Sequence, residues 1–287
     1  MIDYPFWVNN FDRVKDHKQE FPNVSKIFEQ PVSFWYGDRK GKNTCSIDNG
    51  LRRLMKRIDP CLPVMVIYNI PDRDVGHYSK GGAKTRERYL EFLEEFCAGI
   101  GDRAPIVIFE PDAIPHSTLM DKEMGESRLS LLKDGLEVLT SSSNALVYVD
   151  VGHSNWLTPE EVAKMLDIVS NDKVRGFSVN VSNFRSTKES MKWSLAICEQ
   201  RPNDYFVIDT SRNGNGPYGN DWCNPPGRAL GSPPTCDTGE EKCDAFLWIK
   251  IPGESDGKCN GGPRAGRFWP EYASKLVDKT KWISKKL

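Results

Sequence analysis

The segment IVIFEPD, from Ile106 to Asp112, places four consecutive apolar residues directly before a stretch that contains two acids. A run this apolar is typical of a strand that is buried on both faces. Pro111 has no amide proton and cannot continue a ladder of backbone hydrogen bonds, so the strand has to end before Asp112. The sequence therefore predicts that Asp112 lies at a strand end that faces a cavity or solvent.

Four further apolar runs end in the same way, with polar or charged residues soon after them. They span residues 64–68, 146–149, 206–208 and 246–249. The polar residues that follow are Arg73 and Asp74, Asp150 and His153, Asp209, Arg212 and Asn213, and Lys250, Glu254 and Asp256. Polar groups thus gather where the predicted strands end.

Segments with the spacing of an amphipathic helix separate these strands. Apolar stripes lie within 85–100 and 129–139, and further helices are predicted near 48–57, 187–199 and 270–283. Thr158 supplies a capping hydroxyl before Pro159 and two glutamates, which is the pattern of a helix start. Strand and helix in steady alternation predict parallel βα units with right-handed crossovers.

The length of 287 residues suits one α/β barrel or one doubly wound sheet. No linker rich in Ser, Gly or Pro divides the chain. Residues 213–234 are rich in Gly and Pro, but they lie between two predicted strands, which indicates a functional loop inside a domain. We therefore expect one domain over residues 1–287.

The charge balance argues against several classes of partner. Lysine and arginine total 39 against 40 for aspartate and glutamate, and a net charge of -1 supplies no field that attracts nucleic acid or anionic membrane. No apolar run approaches the roughly 20 residues that span a bilayer. The first residues lack the basic and apolar regions of a signal peptide, which is typical of a mature chain. We expect neither a nucleic-acid nor a membrane partner.

Eight cysteines are scattered along the chain, and no two of them form a CxxC pair. They do not cluster with histidine, which argues against a zinc site, and we expect no metal or cofactor. Four of them lie in the loop-rich C-terminal third, where bridges are most useful. This pattern favours disulfide bonds and a secreted, extracellular protein.

Seven motifs follow one another along the chain. They are IYNIPDRDVGHYSKGGA (67–83), VIFEPDAI (107–114), VYVDVGHSNWL (147–157), RGFSVNVSNF (175–184), VIDTSRNGNGP (207–217), WCNPPGRALG (222–231) and LWIKIPGESDG (247–257). Through them, the chain from about residue 34 to residue 269 resembles the catalytic domain of glycoside hydrolase family 6, cellulases that hydrolyse β-1,4-glucan with inversion. The resemblance implies a distorted, incomplete parallel α/β barrel (TIM-like) with its active cleft at the C-terminal ends of the strands.

An inverting hydrolase needs one carboxyl that protonates the leaving oxygen and a second that activates water on the other face of the sugar, roughly 6.5 to 9.5 Å away. The resemblance makes Asp112 the general acid. Asp74 matches a second central aspartate, which raises the pKa of its neighbour and helps to relay a proton from water. The base is Asp256 or Asp74. Asp150 either joins the catalytic group or holds an arginine or histidine in place.

Glucan binding requires flat apolar faces that stack on pyranose C–H groups. Trp156 and Trp222 are the predicted platforms, and the resemblance adds Trp35, with Phe34 or Tyr36 as its substitute. The resemblance also implies polar residues around the sugars. They are Lys250, Glu254, Asn180 and Asn183 at sugar hydroxyls, and Tyr68 and Ser79 near the cleavage site. By its chemistry, His153 is a further candidate to bind a hydroxyl. Arg73 and Arg212 either orient the carboxylates through bidentate pairing or form structural salt bridges under the cleft.

The cysteines depart from the family pattern in one place and match it in another. Val75 stands where the family commonly has cysteine, and no cysteine follows the EPD motif, so we expect the two loops there to be freer. Cys223 and Cys259 match a different family bridge. Cys236 with Cys243 is predicted as a local pair, and three connectivities stay open for Cys45, Cys61, Cys97 and Cys198.

The loops that roof the cleft in cellobiohydrolases of this family are short here, because only about a dozen residues separate Asp256 from Trp269. We therefore expect an open groove and a monomeric, inverting endo-β-1,4-glucanase that acts on cellulose or related β-glucans, over residues 1–287 as a single catalytic domain. Three alternatives stay open: a cellobiohydrolase of the same family, a non-catalytic glucan-binding protein, and a metal-dependent barrel hydrolase.

Overall fold

A computed structural model describes residues 5–8, 19–37 and 47–284. Seven strands form one sheet, and nine helices accompany them within these ranges. The strands are β1 (Phe34–Tyr36), β2 (Val64–Ile67), β3 (Ile106–Phe109), β4 (Leu146–Asp150), β5 (Gly176–Val179), β6 (Tyr205–Asp209) and β7 (Cys243–Leu247). The helices are α1 (Ser25–Phe28), α2 (Ile47–Ile58), α3 (Arg86–Ile100), α4 (Ala113–Ser117), α5 (Lys122–Ser141), α6 (Pro159–Val169), α7 (Thr187–Gln200), α8 (Pro270–Asp278) and α9 (Lys281–Ser284).

The strands pair in the order in which they occur, and every pair is parallel. The sheet curls, and its two outer strands are β1 and β7. Ser33 N donates to Trp248 O (3.2 Å) and Trp35 Nε1 donates to Ile249 O (2.9 Å), so a few hydrogen bonds link the β1 edge to the chain after β7. This half-barrel confirms the predicted incomplete parallel α/β barrel.

Apolar side chains pack on both faces of the sheet. Inside the curl, Val66, Ile108 and Tyr148 belong to one buried cluster. Outside it, the stripe of α3 and the leucines of α5 pack against the alternate residues of the strands. The stripe residues that the sequence predicts are all buried, namely Tyr89, Phe92, Leu93, Phe96, Ile100, Leu129, Leu132, Leu136 and Leu139. These helix predictions are confirmed.

The helix start at Thr158 is also confirmed. The Thr158 side chain accepts from the Glu161 amide and the Glu161 side chain accepts from the Thr158 amide, which satisfies two donors that a helix end leaves unpaired. The segment 270–283 differs from its prediction, because α8 ends at Asp278 and a separate short helix begins at Lys281. Among the described helices, none is both long and apolar enough to cross a membrane.

Three strands differ from the sequence prediction. The sequence predicts the last strand at 246–249, but β7 lies at Cys243–Leu247. Trp248 lies beyond it, and its carbonyl accepts from Ser33 N. Strands β1 and β5 were not predicted at all. Strand β5 begins at Gly176, where a Cβ atom would lie 1.7 Å from Tyr205 O, so only glycine allows this close approach of β5 to β6.

The disulfide predictions have mixed outcomes. Cys223 and Cys259 form a bridge with a Cα–Cα distance of 6.1 Å, as predicted. The predicted pair of Cys236 and Cys243 is wrong: both thiols are free, since Cys243 is buried in β7 while Cys236 is exposed. The remaining thiols that the structure describes, Cys61, Cys97 and Cys198, are free as well, and Cys45 lies outside the described residues.

Candidate active site

A cleft of about 660 Å³ lies at the carboxyl ends of the strands. Because the strands are parallel, the loops that follow them all reach this one edge of the sheet. The cleft is lined by Arg73 and by every other predicted site residue except Asp150, Asn180 and Arg212. Besides Arg73, these lining residues are Trp35, Tyr68, Asp74, Ser79, Asp112, His153, Trp156, Asn183, Trp222, Lys250, Glu254 and Asp256.

Asp112 is the N-cap residue of α4 and has a left-handed backbone, with φ of 65°. Its amide donates to Asp150 Oδ1 (2.8 Å), and Asp150 also accepts from Gly152 N (3.1 Å) and Ser178 Oγ (2.9 Å). Oδ1 of Asp112 is buried and has no hydrogen-bond partner. The sequence left two roles open for Asp150, and its placement under Asp112 supports the backbone of the cleft carboxyl rather than an arginine or histidine.

Burial sets the protonation of these two carboxyls. It raises the pKa of Asp112 well above its ordinary value, and the nearby Asp150 and Asp74 raise it further. Burial also raises the pKa of Asp150, to about 7, although the hydrogen bonds from Asp112, Ser178 and Gly152 oppose this shift. A protonated Asp112 inside a cleft is a group that can donate a proton to a bound molecule.

Asp74 lies on the loop after β2 and is only partly buried. Its Oδ2 accepts from Ser79 N (2.6 Å), and burial raises its pKa while this hydrogen bond and the charges of His77 and Arg73 oppose the shift. Arg73 Nε donates to Ser79 O (2.9 Å), Arg73 Nη1 donates to Tyr68 O, and its guanidinium lies 4.8 Å from the centre of the Tyr68 ring. Arg73 therefore holds loop carbonyls, and the carboxylate pairing considered for it is not seen.

Both carboxylate oxygens of Asp256 are paired with cations or hydrogen-bond donors. Arg212 Nη1 lies 2.8 Å from Oδ2, Lys250 Nζ lies 3.3 Å from Oδ1, and Asn224 N donates to Oδ2 (3.0 Å). Burial raises the pKa of Asp256, but Arg212 and Lys250 outweigh it and leave the pKa below its ordinary value. Arg212 sends its other nitrogen, Nη2, to Ser182 O, so its contact with Asp256 is a buried salt bridge and not a bidentate pair.

Aromatic side chains stand along the cleft. The rings of Trp35 and Tyr68 meet edge to face, with 5.5 Å between their centres. The ring of Trp156 contacts the imidazoles of His116 and His153, with distances between ring centres of 5.2 Å and 5.5 Å. Burial lowers the pKa of His153 to about 4, so its imidazole is neutral around neutral pH. Trp222 is 44% exposed at the rim. These indole faces provide area for stacking at low entropic cost.

The two asparagines of the NVSN segment have different positions. Asn180 is fully buried, and its amide group is used by backbone: Nδ2 donates to Asp209 O (2.8 Å) and Arg185 O (3.2 Å), while Oδ1 accepts from Arg185 N (3.0 Å). It therefore lies under the cleft wall, whereas Asn183 reaches the cleft.

Other residues line the cleft that are not among the predicted site residues. They include His77, Tyr78, His116, Leu119, Phe184 and Arg185. For His116, the position four residues after Asp112 on the same helix is a usable signal, because residues i and i+4 share a helix face. No group of three or more His, Cys, Asp or Glu side chains is placed to hold a metal ion within the part of the chain that the structure describes.

Comparisons with known proteins point to one family of enzymes. The family model for glycosyl hydrolases family 6 matches residues 7–280. Endoglucanase A of Cellulomonas fimi is 42% identical over 220 residues, which are 77% of this chain and 48% of that protein. Endoglucanase 1 of Streptomyces sp. (strain KSM-9) is 38% identical over 257 residues, or 88% of this chain and 71% of that protein. The chain thus spans about half the length of the first of these relatives.

A solved structure is similar over almost the whole chain. The endoglucanase Cel6 from Mycobacterium tuberculosis, in complex with methyl-cellobiosyl-4-deoxy-4-thio-beta-D-cellobioside, superposes with a TM-score of 0.90 at 36% identity and covers 96% of this chain and 97% of that one. The family match, the curled parallel sheet and the carboxyl-lined cleft agree with one another. The chain belongs to glycosyl hydrolase family 6.

Proposed function

We propose that this chain is the catalytic domain of an inverting endo-β-1,4-glucanase. The observation that carries the proposal is Asp112, whose Oδ1 is buried without a partner in a cleft walled by tryptophans. Burial, Asp150 and Asp74 keep its pKa high, so it holds the proton that a glycosidic oxygen needs in order to leave. The relatives named above as endoglucanases support the same activity.

In the proposed reaction, a β-1,4-glucan lies along the cleft with its glycosidic oxygen at Asp112. Asp112 donates its proton to that oxygen as the bond from the oxygen to the anomeric carbon breaks. Water attacks the anomeric carbon from the opposite face and loses a proton to a base. The sugar product therefore carries the α configuration, and the departing chain carries the new hydroxyl.

We propose Asp74 as the acceptor of the water proton, either directly or through a second water. Asp74 is partly exposed in the cleft, and the hydrogen bond described for its carboxylate comes from Ser79. Asp256 is the weaker candidate, because Arg212, Lys250 and Asn224 occupy both its oxygens and lower its proton affinity. Its charge instead neutralises the two cations next to the cleft. Tyr68 and Ser79 border the same space, near the sugar and the water.

Substrate contacts follow from the cleft lining. We assign stacking of sugar rings to Trp35, Trp156 and Trp222, and hydrogen bonds with hydroxyls to His153, Asn183, Lys250 and Glu254. The short segment between Asp256 and Trp269 supports an open groove that admits internal parts of a chain. Free ends are then not required for binding.

Several properties of the whole protein belong to the same proposal. A disulfide between Cys223 and Cys259 supports an oxidising, extracellular location, and we propose a secreted enzyme. We further propose that residues 1–287 are a single catalytic domain that acts as a monomer on cellulose or related β-glucans, without a cofactor, nucleic acid or membrane as partner.

The test follows the viscosity of carboxymethylcellulose and the appearance of reducing ends in the same reaction. An endo-acting enzyme lowers viscosity steeply while few ends have appeared, because one cut in mid-chain halves a polymer. NMR of the first products of a cello-oligosaccharide should show the α-anomer. Cellobiose from the earliest times with little loss of viscosity means a cellobiohydrolase, and glucan binding without any product means a binding protein.

A further inference from the structure

The loop that carries Asp74, residues 69–83, has an unfavourable backbone. Three of its residues that are not glycine have positive φ: Asp72 at 51°, Asp74 at 63° and Val75 at 43°. L-residues rarely adopt such angles, and they persist where the surroundings enforce them. The base of the loop is closed by Ala83 N to Asn69 O (2.8 Å) and by the pairing of Arg73 with Gly81. Contacts from outside the loop must fix the rest.

Glu110 is the first of these contacts. It follows β3, is 1% exposed, and both its carboxylate oxygens lie 3.0 Å from Asn69 N. Its own amide donates to Ile67 O (2.9 Å), so the side chain and the backbone of Glu110 both bind the strand and loop that lead to Asp74. Two residues further along the same chain is Asp112. Glu110 therefore joins the segments that carry the two cleft carboxyls.

Arg128 is the second contact. It lies on α5, is 6% exposed, and its Nη2 donates to Pro71 O (3.1 Å) and Asp72 O (3.0 Å). The hydrogen bonds described for its side chain go only to this loop. Its Nη1 is buried without a partner. Burying a cation costs desolvation free energy, and well-packed apolar residues in the place of a buried ion pair are often neutral or stabilising, so stability alone is weak grounds for Arg128.

The charges around the pair are balanced. Glu110 faces two cations, Arg128 and Arg73, and Arg128 faces two acids, Glu110 and Asp72. Both also face the hydroxyl-bearing rings of Tyr68 and Tyr89. Each charge is thus compensated by the other and by the loop between them. Removing either one takes away part of the counter-charge of the other, although Arg73 stays near Glu110 and Asp72 stays near Arg128.

We propose that Glu110 and Arg128 are positioning residues that brace the Asp74 loop and set the place of the Asp74 carboxylate relative to Asp112. Neither side chain lines the cleft, so neither touches the substrate. The inference rests on the proposed function, in which Asp74 and Asp112 act together. It has a consequence that a purely structural role lacks: the charge of Asp74 raises the pKa of Asp112, and a displaced loop weakens that effect.

The experiment compares Arg128→Met, Arg128→Lys and Glu110→Gln with the wild-type chain and with Arg175→Met as a control. Arg175 is a partly buried arginine at the opposite end of the barrel, where it pairs with Asp244 (2.8 Å), so its loss lowers stability far from the cleft. Melting temperature, kcat, KM and the pH profile of kcat/KM are measured on a soluble β-glucan.

For Arg128→Met and Glu110→Gln, we expect kcat to fall by about 10- to 100-fold, the cost of a small misplacement of reacting groups. KM should change little, because Trp156 and Trp222 are untouched. The alkaline limb of the pH profile should move to lower pH, since Asp112 loses its proton more easily. Arg128→Lys keeps the charge and a donor, and should recover part of the kcat.

Arg175→Met should lower the melting temperature and leave both kcat and the pH profile as in wild type. The inference is overturned if Arg128→Met and Glu110→Gln, folded at the assay temperature, keep the wild-type kcat and alkaline limb, or change them no more than the control does. A wild-type chain without activity refutes the proposed function instead, which separates the two failures.

Discussion

The amide of Asp112 donates a 2.8 Å hydrogen bond to Oδ1 of Asp150, which lies fully buried at the end of the neighbouring strand β4. This contact fixes the turn after β3 in a left-handed conformation and aims the Asp112 side chain into the cleft. It also brings a second acid close to Asp112 in a poorly solvated place. One interaction therefore positions the proposed general acid and helps to keep it protonated.

Replacing Asp112 with Asn should abolish hydrolysis of cello-oligosaccharides and leave glucan binding intact. General acid catalysis contributes about 10² to 10⁴-fold, and an amide has no proton to donate. The rate of hydrolysis should fall less for a substrate with an activated leaving group, because such a group leaves without needing a proton. Initial rates and binding isotherms measure this, with Asp121→Asn, at an exposed helix cap, as the control. Near wild-type turnover by folded Asp112→Asn protein contradicts the assignment.

Asp256→Asn and Asp74→Asn should separate the two candidates for the base. Both should lower kcat, but Asp256→Asn leaves the buried Arg212 without its counter-charge, which costs about 3 to 5 kcal/mol of stability. Asp74→Asn should leave the melting temperature close to wild type, because Asp74 is partly exposed. Thermal denaturation beside kcat tests this. An active Asp74→Asn variant points to Asp256 as the base.

Loss of the bridge between Cys223 and Cys259 should lower stability and activity together. The bridge joins the loop of Trp222 to the loop of Asp256, and a disulfide typically contributes about 2 to 4 kcal/mol. The double replacement by Ser is compared with Cys61→Ser, which removes a thiol that is free already. Unchanged melting temperature and KM in the double variant would show that other contacts hold the two loops.

Stability should fall as pH rises from about 4 towards 7. Burial raises the pKa of Glu110 and of Asp150 to about 7 in the folded chain, and it raises the pKa of Asp112 as well. His116 and His153 act in the opposite direction, because burial lowers their pKa to about 4. The three carboxyls outweigh the two histidines, so the folded state binds more protons than the unfolded state in this interval. The unfolding free energy in urea, measured from pH 4 to pH 8, tests the sign. Glu110→Gln should flatten the curve and exposed Glu199→Gln should not. A rise in stability over this interval contradicts the prediction.

Local patterns in the sequence determined most of the secondary structure. The apolar run 106–109 predicts β3 and the apolar stripe within 85–100 predicts α3, and both predictions are confirmed. They succeed because a buried strand and an amphipathic helix each have a recognisable pattern of apolar residues. Strands β1 and β5 are not predicted from the sequence. Strand β1 is only three residues long, and β5 contains Gly and Ser, so neither has a clear apolar pattern of its own. Both are defined by their pairing with neighbouring strands. The resemblance of the motifs to a family supplied the barrel as a whole.

Tertiary structure alone decided which polar residues face the cleft. Asn180 carries the right chemistry for a sugar hydroxyl, but its amide is consumed by the backbone of Arg185 and Asp209. Arg128 carries no motif, yet it reaches carbonyls that lie more than 50 residues away in sequence. Hydrogen bonds and charges depend on distance in space, so their partners become visible only once the chain is folded. The sequence by itself determined most of the strands and helices and the acids that follow the strands. The fold decided which of those acids has a raised pKa, which is ion-paired and which is buried as a support.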